Sequence, residues 1–277
     1  MNVKDFSRRR AAFRKLHESG CFMLPNPWDA GSASALATLG FKALATTSSG
    51  AAWSQARPDH GLDVEAVLEH CRRIVAATDL PVNADFESGY ARDIDALKNN
   101  VRRCVETGVA GLSIEDSSGD DSQPLFELDE AIARLRAARA AIDATGEDVV
   151  LVGRAECYLV GHADALNESI KRLRAYAQAG ADCLYAPGVR DPEHIRAIVA
   201  AVAPKPVNVL VGYPAPLSLN DFVQIGVRRI SVGGALAGAA WGSFLRAARS
   251  LAQGRFDGFA DNASHAELGA LFARNVD

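Results

Sequence analysis

The sequence predicts an α/β protein built as a (β/α)8 barrel of the TIM type with a helical extension at its C-terminal end. Three observations predict it. Strand-like apolar runs recur about eight times along 277 residues, near 22–25, 43–47, 82–85, 111–115, 149–154, 182–186, 206–210 and 229–232. Amphipathic helical stretches alternate with them, which is the serial pattern of that barrel in a chain near 250 residues. A helix, a glycine and a short apolar strand also follow one another at four joints, around Gly40, Gly108, Gly180 and Gly226. A glycine just past the last helical turn takes the left-handed conformation that ends a helix. A doubly wound sheet is the competing arrangement, but no GxGxxG follows the first strand.

Taken in order, the helices carry their own start signals. Val64, Val67, Leu68, Cys71, Ile74 and Val75 fall on one face at i, i+3, i+4 and i+7, with Asp63 placed as the cap. The next helix repeats the pattern with Ile94, Leu97, Val101, Cys104 and Val105, opened by Asp93 and closed by Gly108. Later starts are marked by Asp191-Pro192, by Ser218 with Asp221 and by Ser264 with Glu267, the last two reading as capping boxes. The stretch from Gly233 to Asp277 is too long for one closing helix. Its weakly polar run from Leu236 to Leu245 is expected either to pack on a neighbouring subunit or to cover the barrel base. The expectation is one domain, 1–277, with 235–277 as the helical extension.

A net charge of −4 with scattered basic residues offers no footprint for nucleic acid or an anionic membrane, which leaves a small-molecule partner. Five cysteines, Cys21, Cys71, Cys104, Cys157 and Cys183, show neither CxxC nor zinc spacing, and Cys71 and Cys104 sit at core positions of helices. The six histidines show no metal spacing. His60, beside Asp59 in a loop, is the one placed to join a site, with a surface position as the competing reading. The basic start lacks the apolar core of a signal peptide and no run nears about 18 apolar residues, so a cytoplasmic protein is expected.

In such a barrel the chemistry gathers where strands end and βα loops begin. Strand two ends in Thr46-Thr47-Ser48-Ser49-Gly50, strand three in Asp85 and Glu87, strand four in Glu115-Asp116 and strand five in Arg154 and Glu156, while strand seven carries Asn208. Strand alternation points Asp85 and Glu87 to one side, where their repulsion is relieved by a divalent cation, with oxygen donors suited to Mg²⁺ or Mn²⁺. The Ser48-Ser49-Gly50 turn offers N–H groups and hydroxyls to a carboxylate, and Arg154 offers paired donors to the other end of the ligand. A cation at Asp85 would then hold a 2-oxo acid and stabilise its enolate.

These residues bring a family into view. The chain resembles the isocitrate lyase/phosphoenolpyruvate mutase superfamily from about Phe13 to Phe272. The carriers are Asn26-Pro27-Trp28-Asp29-Ala30, Thr47-Ser48-Ser49-Gly50, Arg57-Pro58-Asp59, the run from Asn83 to Tyr90, Ser113-Ile114-Glu115-Asp116 and Gly153-Arg154-Ala155-Glu156. The resemblance implies a Mg²⁺-dependent barrel in which Asp85 coordinates the ion and Asp59, Glu87 and Glu115 hold its water ligands. It implies catalytic roles for Arg154, Glu115 and Asp59. It places substrate against Trp28, Ser48, Ser49, Gly50, Arg154 and Asn208. It also implies a homo-oligomer, a tetramer or dimer, with a helix near the C-terminus exchanged between subunits.

Several signatures of the individual branches are missing. Glu87 stands where aspartate is usual. The Lys-Lys-Cys-Gly-His loop of the C–C lyases is replaced by the stretch from Asp116 to Pro124, and their strand-six glutamate by Tyr185-Ala186-Pro187. The lysine and asparagine of the phosphonopyruvate-handling branch and the histidine of a decarboxylase branch are absent too, the latter position reading Gly233-Gly234-Ala235. The resulting expectation is a Mg²⁺-dependent lyase-type enzyme that cleaves a C–C bond in a small 2-oxo or 2-hydroxy carboxylic acid through an enolate. The alternatives are P–C bond chemistry, of the phosphonopyruvate hydrolase or carboxyphosphonoenolpyruvate mutase type, and a non-catalytic 2-oxo acid binding protein.

Overall fold

The computed structural model describes residues 3–273. After helix α1 (Val3–Leu16), strands and helices alternate: β1 (Phe22–Leu24), α2 (Ala30–Thr38), β2 (Leu44–Ala45), α3 (Ser48–Ser54), α4 (Val64–Ala76), β3 (Val82–Asp85), α5 (Ile94–Glu106) and β4 (Gly111–Glu115). They continue with α6 (Leu128–Asp143), β5 (Val150–Arg154), α7 (Ala165–Gln178), β6 (Cys183–Tyr185), α8 (Pro192–Val202), β7 (Val207–Leu210), α9 (Leu219–Ile225) and β8 (Arg229–Ser231). The extension is α10 (Ala235–Ala252), a 3-10 turn at Asp257–Phe259 and α11 (His265–Phe272). All eight strands fall where the sequence places them, and all four joint glycines have positive φ, from 82° to 103°.

Every ladder is parallel, and the sheet runs β1-β8-β7-β6-β5-β4-β3-β2, a nearly closed (β/α)8 barrel. The β1/β2 seam is bridged by Ala45 N–H donating to Pro25 O at 3.0 Å. Asn26 ties the same seam at its upper end: its Nδ2 donates to Thr46 O at 2.8 Å, and its Oδ1 accepts from the Val232 and Gly233 N–H groups at 2.9 Å each. A buried amide with all these partners fixes three strand ends at once.

The helices bury their apolar stripes on the outside of the barrel. Leu68, Cys71 and Ile74 of α4 and Leu97, Val101 and Cys104 of α5 are completely covered, each large aliphatic contributing about 1.5–3 kcal/mol by leaving water. Asp63 and Asp93 cap these helices through the Ala66 and Ala96 N–H groups. Ser218 and Asp221 form a reciprocal box at α9, whereas Ser264 caps α11 from one side only.

Inside the barrel a smaller cluster of Phe22, Leu24, Ala43, Ala45, Val150, Val152 and Cys183 surrounds Phe13, which rises from α1. Gly111 makes that plug possible: a Cβ there would lie 2.6 Å from Asn83 Oδ1 and 2.7 Å from Phe13 Cε1. The base of the barrel is thus closed by α1 and not by the C-terminal extension. From the extension, Trp241, Phe244 and Leu245 face outward, 37%, 59% and 41% exposed. No helix among the described residues is long and apolar enough to cross a membrane.

Candidate active site

The strand ends surround a cavity of about 170 Å³ at the carboxyl mouth of the barrel. Its upper wall holds Ser48, Ser49, Asp59, Asp85 and Arg154, and its deeper wall holds Asn83, Tyr185, Arg229 and Ser231.

Arg154, the last residue of β5, organises the mouth. Its Nη1 meets Asp85 Oδ1 at 2.5 Å, its Nη2 meets Glu115 Oε2 at 3.1 Å and its Nε meets Glu156 Oε1 at 3.0 Å. The register explains the convergence, since Glu115 pairs with Arg154 across β4 and β5, and Asp85 with Ser113 across β3 and β4. One guanidinium cannot balance three carboxylates in a buried setting. Burial therefore raises the Glu115 carboxyl well above the ordinary range, with Arg154 opposing and Glu156 and Asp85 adding to the rise. Glu156 is raised for the same first reason.

Asp85 is held from three sides. Its backbone N–H donates to Thr46 Oγ1 at 2.8 Å, its Oδ2 accepts from Ser48 N–H at 3.0 Å, and its Oδ1 takes the guanidinium. Glu156 is held from behind: its N–H donates to Asp116 Oδ1 at 2.8 Å, while Asp116 Oδ2 accepts from Arg172 Nη1 at 3.0 Å and from the Tyr176 hydroxyl at 2.5 Å.

A second acidic group lies at the rim. Asp59, His60 and Glu87 bring one ligand atom each to within 4.8 Å of one another, and His60 Nδ1 lies 3.0 Å from Glu87 Oε2. That bond pushes the imidazole up to about 9, so it is protonated at neutral pH. The Asp59 carboxyl is raised, by burial first and then by the charges of Asp85 and Glu87. His60 and Glu87 both have positive φ, 59° and 43°, an arrangement non-glycine residues adopt where surrounding structure imposes it, often at functional sites.

Not every residue expected at the site arrives in one place. β3 ends at Asp85, and Glu87 lies beyond it in a left-handed turn, so strand alternation does not join the two carboxylates; Glu87 turns to His60 instead. Ser48, Ser49 and Gly50 form the first turn of α3 rather than an open turn. The Ser48 N–H is engaged by Asp85, and Gly50 is a packing position where a Cβ would meet Thr47 Cγ2 at 2.7 Å and Trp28 Cβ at 2.8 Å. Trp28 lines a separate apolar depression with Ser54, Trp241 and Phe244. Glu115 lies behind Arg154, and Asn208 lies behind the floor, where its Nδ2 donates to Ser231 Oγ at 2.9 Å.

The sequence reading missed the floor. Arg229, 3% exposed, donates through Nε to Asn208 Oδ1 at 2.9 Å, and its Nη1 lies 3.4 Å from His17 Nε2. Burial, reinforced by Arg229, pushes His17 down to about 3, leaving it a neutral acceptor. The available signal was Arg229 standing in an apolar strand at an inward position. In the sequence Tyr185 stands out only as the replacement of a glutamate, whereas in the structure it forms part of the cavity wall.

The oxygen-rich donors Asp59, Asp85, Glu87 and Glu115 suit a hard divalent cation; the Asp59 carboxyl is raised mainly by burial, with the neighbouring charges of Asp85 and Glu87 adding to the rise and His60 opposing it. Arg154 and the protonated His60 supply the compensating charge within the chain itself.

This architecture and site define a class, and comparison with known proteins bears it out. Residues 13–252 match the family model for phosphoenolpyruvate phosphomutase, so the chain belongs to that family, within the phosphoenolpyruvate mutase/isocitrate lyase superfamily. A solved structure from Burkholderia cenocepacia, provisionally described as a lyase or mutase, superposes with a TM-score of 0.93 at 43% identity, covering 97% of this chain and 98% of that one. Oxaloacetate acetylhydrolase, solved with its product oxalate, superposes with a TM-score of 0.86 at 26% identity over 98% of this chain and 96% of that one. The oxaloacetate decarboxylase of Rhodopseudomonas palustris is 32% identical over 176 residues, 60% of this chain and 56% of its own length. The chain is therefore an enzyme of the lyase/mutase type.

Proposed function

We propose that the protein is a Mg²⁺-dependent lyase that breaks the C–C bond next to the enolisable carbon of a small 2-oxo dicarboxylate of the oxaloacetate type. The observation that carries this reading is the grip of Arg154 on Asp85, Glu115 and Glu156 at the mouth of the cavity. Asp85, with Asp59, Glu87 and Glu115 around it, would hold the cation, which when bound supplies positive charge to the carboxylate and oxo oxygens of the substrate.

The residues of the chain do the rest. Arg154 binds the head of the substrate with donors that exchange Asp85 for a ligand oxygen, and the Ser48 and Ser49 hydroxyls receive its carboxylate. Glu115 and Glu156 keep the guanidinium aimed at the cavity, so electron density that moves onto the oxo oxygen as the bond breaks meets a fixed cation. The exposed apolar face of α10 supports a homo-oligomer. Oxaloacetate turnover to pyruvate, measured with and without Mg²⁺, tests the reading directly: metal-dependent formation of pyruvate is expected, and turnover indifferent to chelation contradicts it. Release of phosphate from a phosphonate substrate instead would assign the site to P–C chemistry.

A further inference from the structure

The reaction just proposed needs a proton donor, and the loop from Asp116 to Pro124 contains no cysteine to serve. We propose that Tyr185 is that donor, with Arg229 as the buried cation that holds its charge after the proton has left. The inference rests on the lyase reading and deepens it.

The cavity itself narrows the choice. Among the described residues that line it, the ionisable ones are Asp59, Asp85, Arg154, Tyr185 and Arg229. Guanidinium groups do not give up protons in proteins. Asp85 is an acceptor for Arg154 and Ser48 N–H, and Asp59 belongs to the open rim with His60 and Glu87. Tyr185 remains, an O–H group on the inner wall, 8% exposed, at the end of β6.

Its surroundings fit a group that carries negative charge briefly. The Arg154 guanidinium lies 5.2 Å from the centre of its ring, and Tyr185 is the register partner of Arg154 on one side and of Asn208 on the other. Below, Arg229 pairs with no carboxylate among the described residues. Its hydrogen-bond partners are the neutral Asn208, His17 and Asn83. A fully buried cation with only neutral partners is costly to maintain, and a phenolate forming in the cavity that Tyr185 and Arg229 both line accounts for that cost. Burial holds the resting phenol protonated, up at about 12, with Arg154 and Ser231 pulling the other way.

The step balances. The bond from C3 to the departing carboxyl carbon breaks, carbon dioxide leaves, and the electron pair enters the C2–C3 enolate. The Tyr185 O–H bond then breaks as its proton forms the new C–H bond at C3, giving pyruvate and a phenolate. Water restores the proton to the phenolate.

The test compares wild type with Tyr185→Phe and Arg229→Gln, using oxaloacetate as substrate and oxalate as a binding probe. Tyr185→Phe is expected to lose about 100-fold or more in kcat, the scale of general acid catalysis, while Mg²⁺-dependent oxalate affinity stays within about threefold. Arg229→Gln is expected to lower kcat about tenfold, at unchanged KM, since its charge stabilises only the transition state. Wild-type kcat in Tyr185→Phe overturns the proposal. A parallel loss of oxalate affinity also overturns it, by making the residue a binding or folding element. Failure of the parent reading shows in the wild type alone, as inertness toward oxaloacetate. Exchange of the pyruvate methyl protons for deuterium then decides: exchange that disappears in Tyr185→Phe supports the proton-transfer role, while exchange that persists there, or is missing from the wild type, overturns it.

Discussion

The two halves of the barrel mouth are built on opposite electrostatic plans. On the side of β2 to β4 stand Asp59, Asp85, Glu87 and Glu115, reaching the cavity from loops and strand ends, with His60 and Glu87 in left-handed conformations. On the side of β6 to β8 stand Tyr185, Asn208, Ser231 and Arg229, carried on strands, buried, and without a carboxylate. The acidic half collects positive charge, from Arg154, from protonated His60 and, in the proposed reaction, from a divalent ion. The other half is a closed hydrogen-bonded floor whose single cation has neutral partners. On the proposed reading the acidic half binds, while the floor responds to charge that appears during the reaction.

The largest effect is expected from removing the centre of the acidic half. Asp85→Ala leaves Arg154 without one partner and is expected to abolish Mg²⁺ binding and cut kcat/KM by about 1,000-fold or more, a loss of roughly 4 kcal/mol of transition-state stabilisation. Isothermal titration with Mg²⁺ alone separates the two effects. Arg154→Gln is next. It leaves Glu115 and Glu156 buried without their cation, so turnover is expected to fall by about 100-fold and the melting temperature to fall as well, because the two buried carboxyls must take up protons or stay unpaired.

A smaller effect is expected from behind the site. Asp116→Asn weakens the bonds to Arg172 and Tyr176 that fix the turn carrying Glu156. It should lower kcat about tenfold, the cost of a modest misplacement of Arg154, and thermal denaturation should show a measurable loss of stability as well. The smallest effect belongs to the rim. His60 gains a partner on folding, and its folded value of about 9 lies above the ordinary 6.5. The stabilisation is therefore complete below about pH 6.5 and is lost as pH rises through about 9. Because the imidazole is largely exposed, the contribution is expected to stay under about 1 kcal/mol. Melting curves at pH 6 and pH 10 should converge in His60→Ala by that small amount, and a convergence of several degrees would mean that the rim is more rigid than its exposure implies.

Legibility in the sequence followed locality. The strands, the helix starts at Asp63, Asp93, Asp191 and Ser218, and the four glycine joints are decided by neighbours within a few residues, and they appear where pattern and capping chemistry place them. The charged members of the acidic half were legible too, because carboxylates and an arginine at strand ends are conspicuous. Glu87 shows where that logic stops. Alternation assumes a continuing strand, and the turn after Asp85 sends its side chain to His60, a residue 27 positions away. The family resemblance implies substrate contacts at Trp28 and Gly50; in the structure the packing of α3 against the chain around Trp28 gives Gly50 a steric role, and Trp28 lines a depression with Trp241 and Phe244.

The floor was the least legible part. Arg229 and Asn208 meet because β7 and β8 pair in register, and His17, 212 positions away in the chain, meets Arg229 because α1 plugs the base. The order of elements, the barrel class and the set of acidic residues and arginine available for chemistry are legible along the chain, since these depend on short-range periodicity and residue type. Three-dimensional closure settles which carboxylates share one guanidinium, that the helix at the start of the chain closes the barrel from below, and that a tyrosine lines one cavity with Arg154 and Arg229. Those arrangements depend on strand register and closure, and a one-residue change of register would turn each of those side chains out of the barrel.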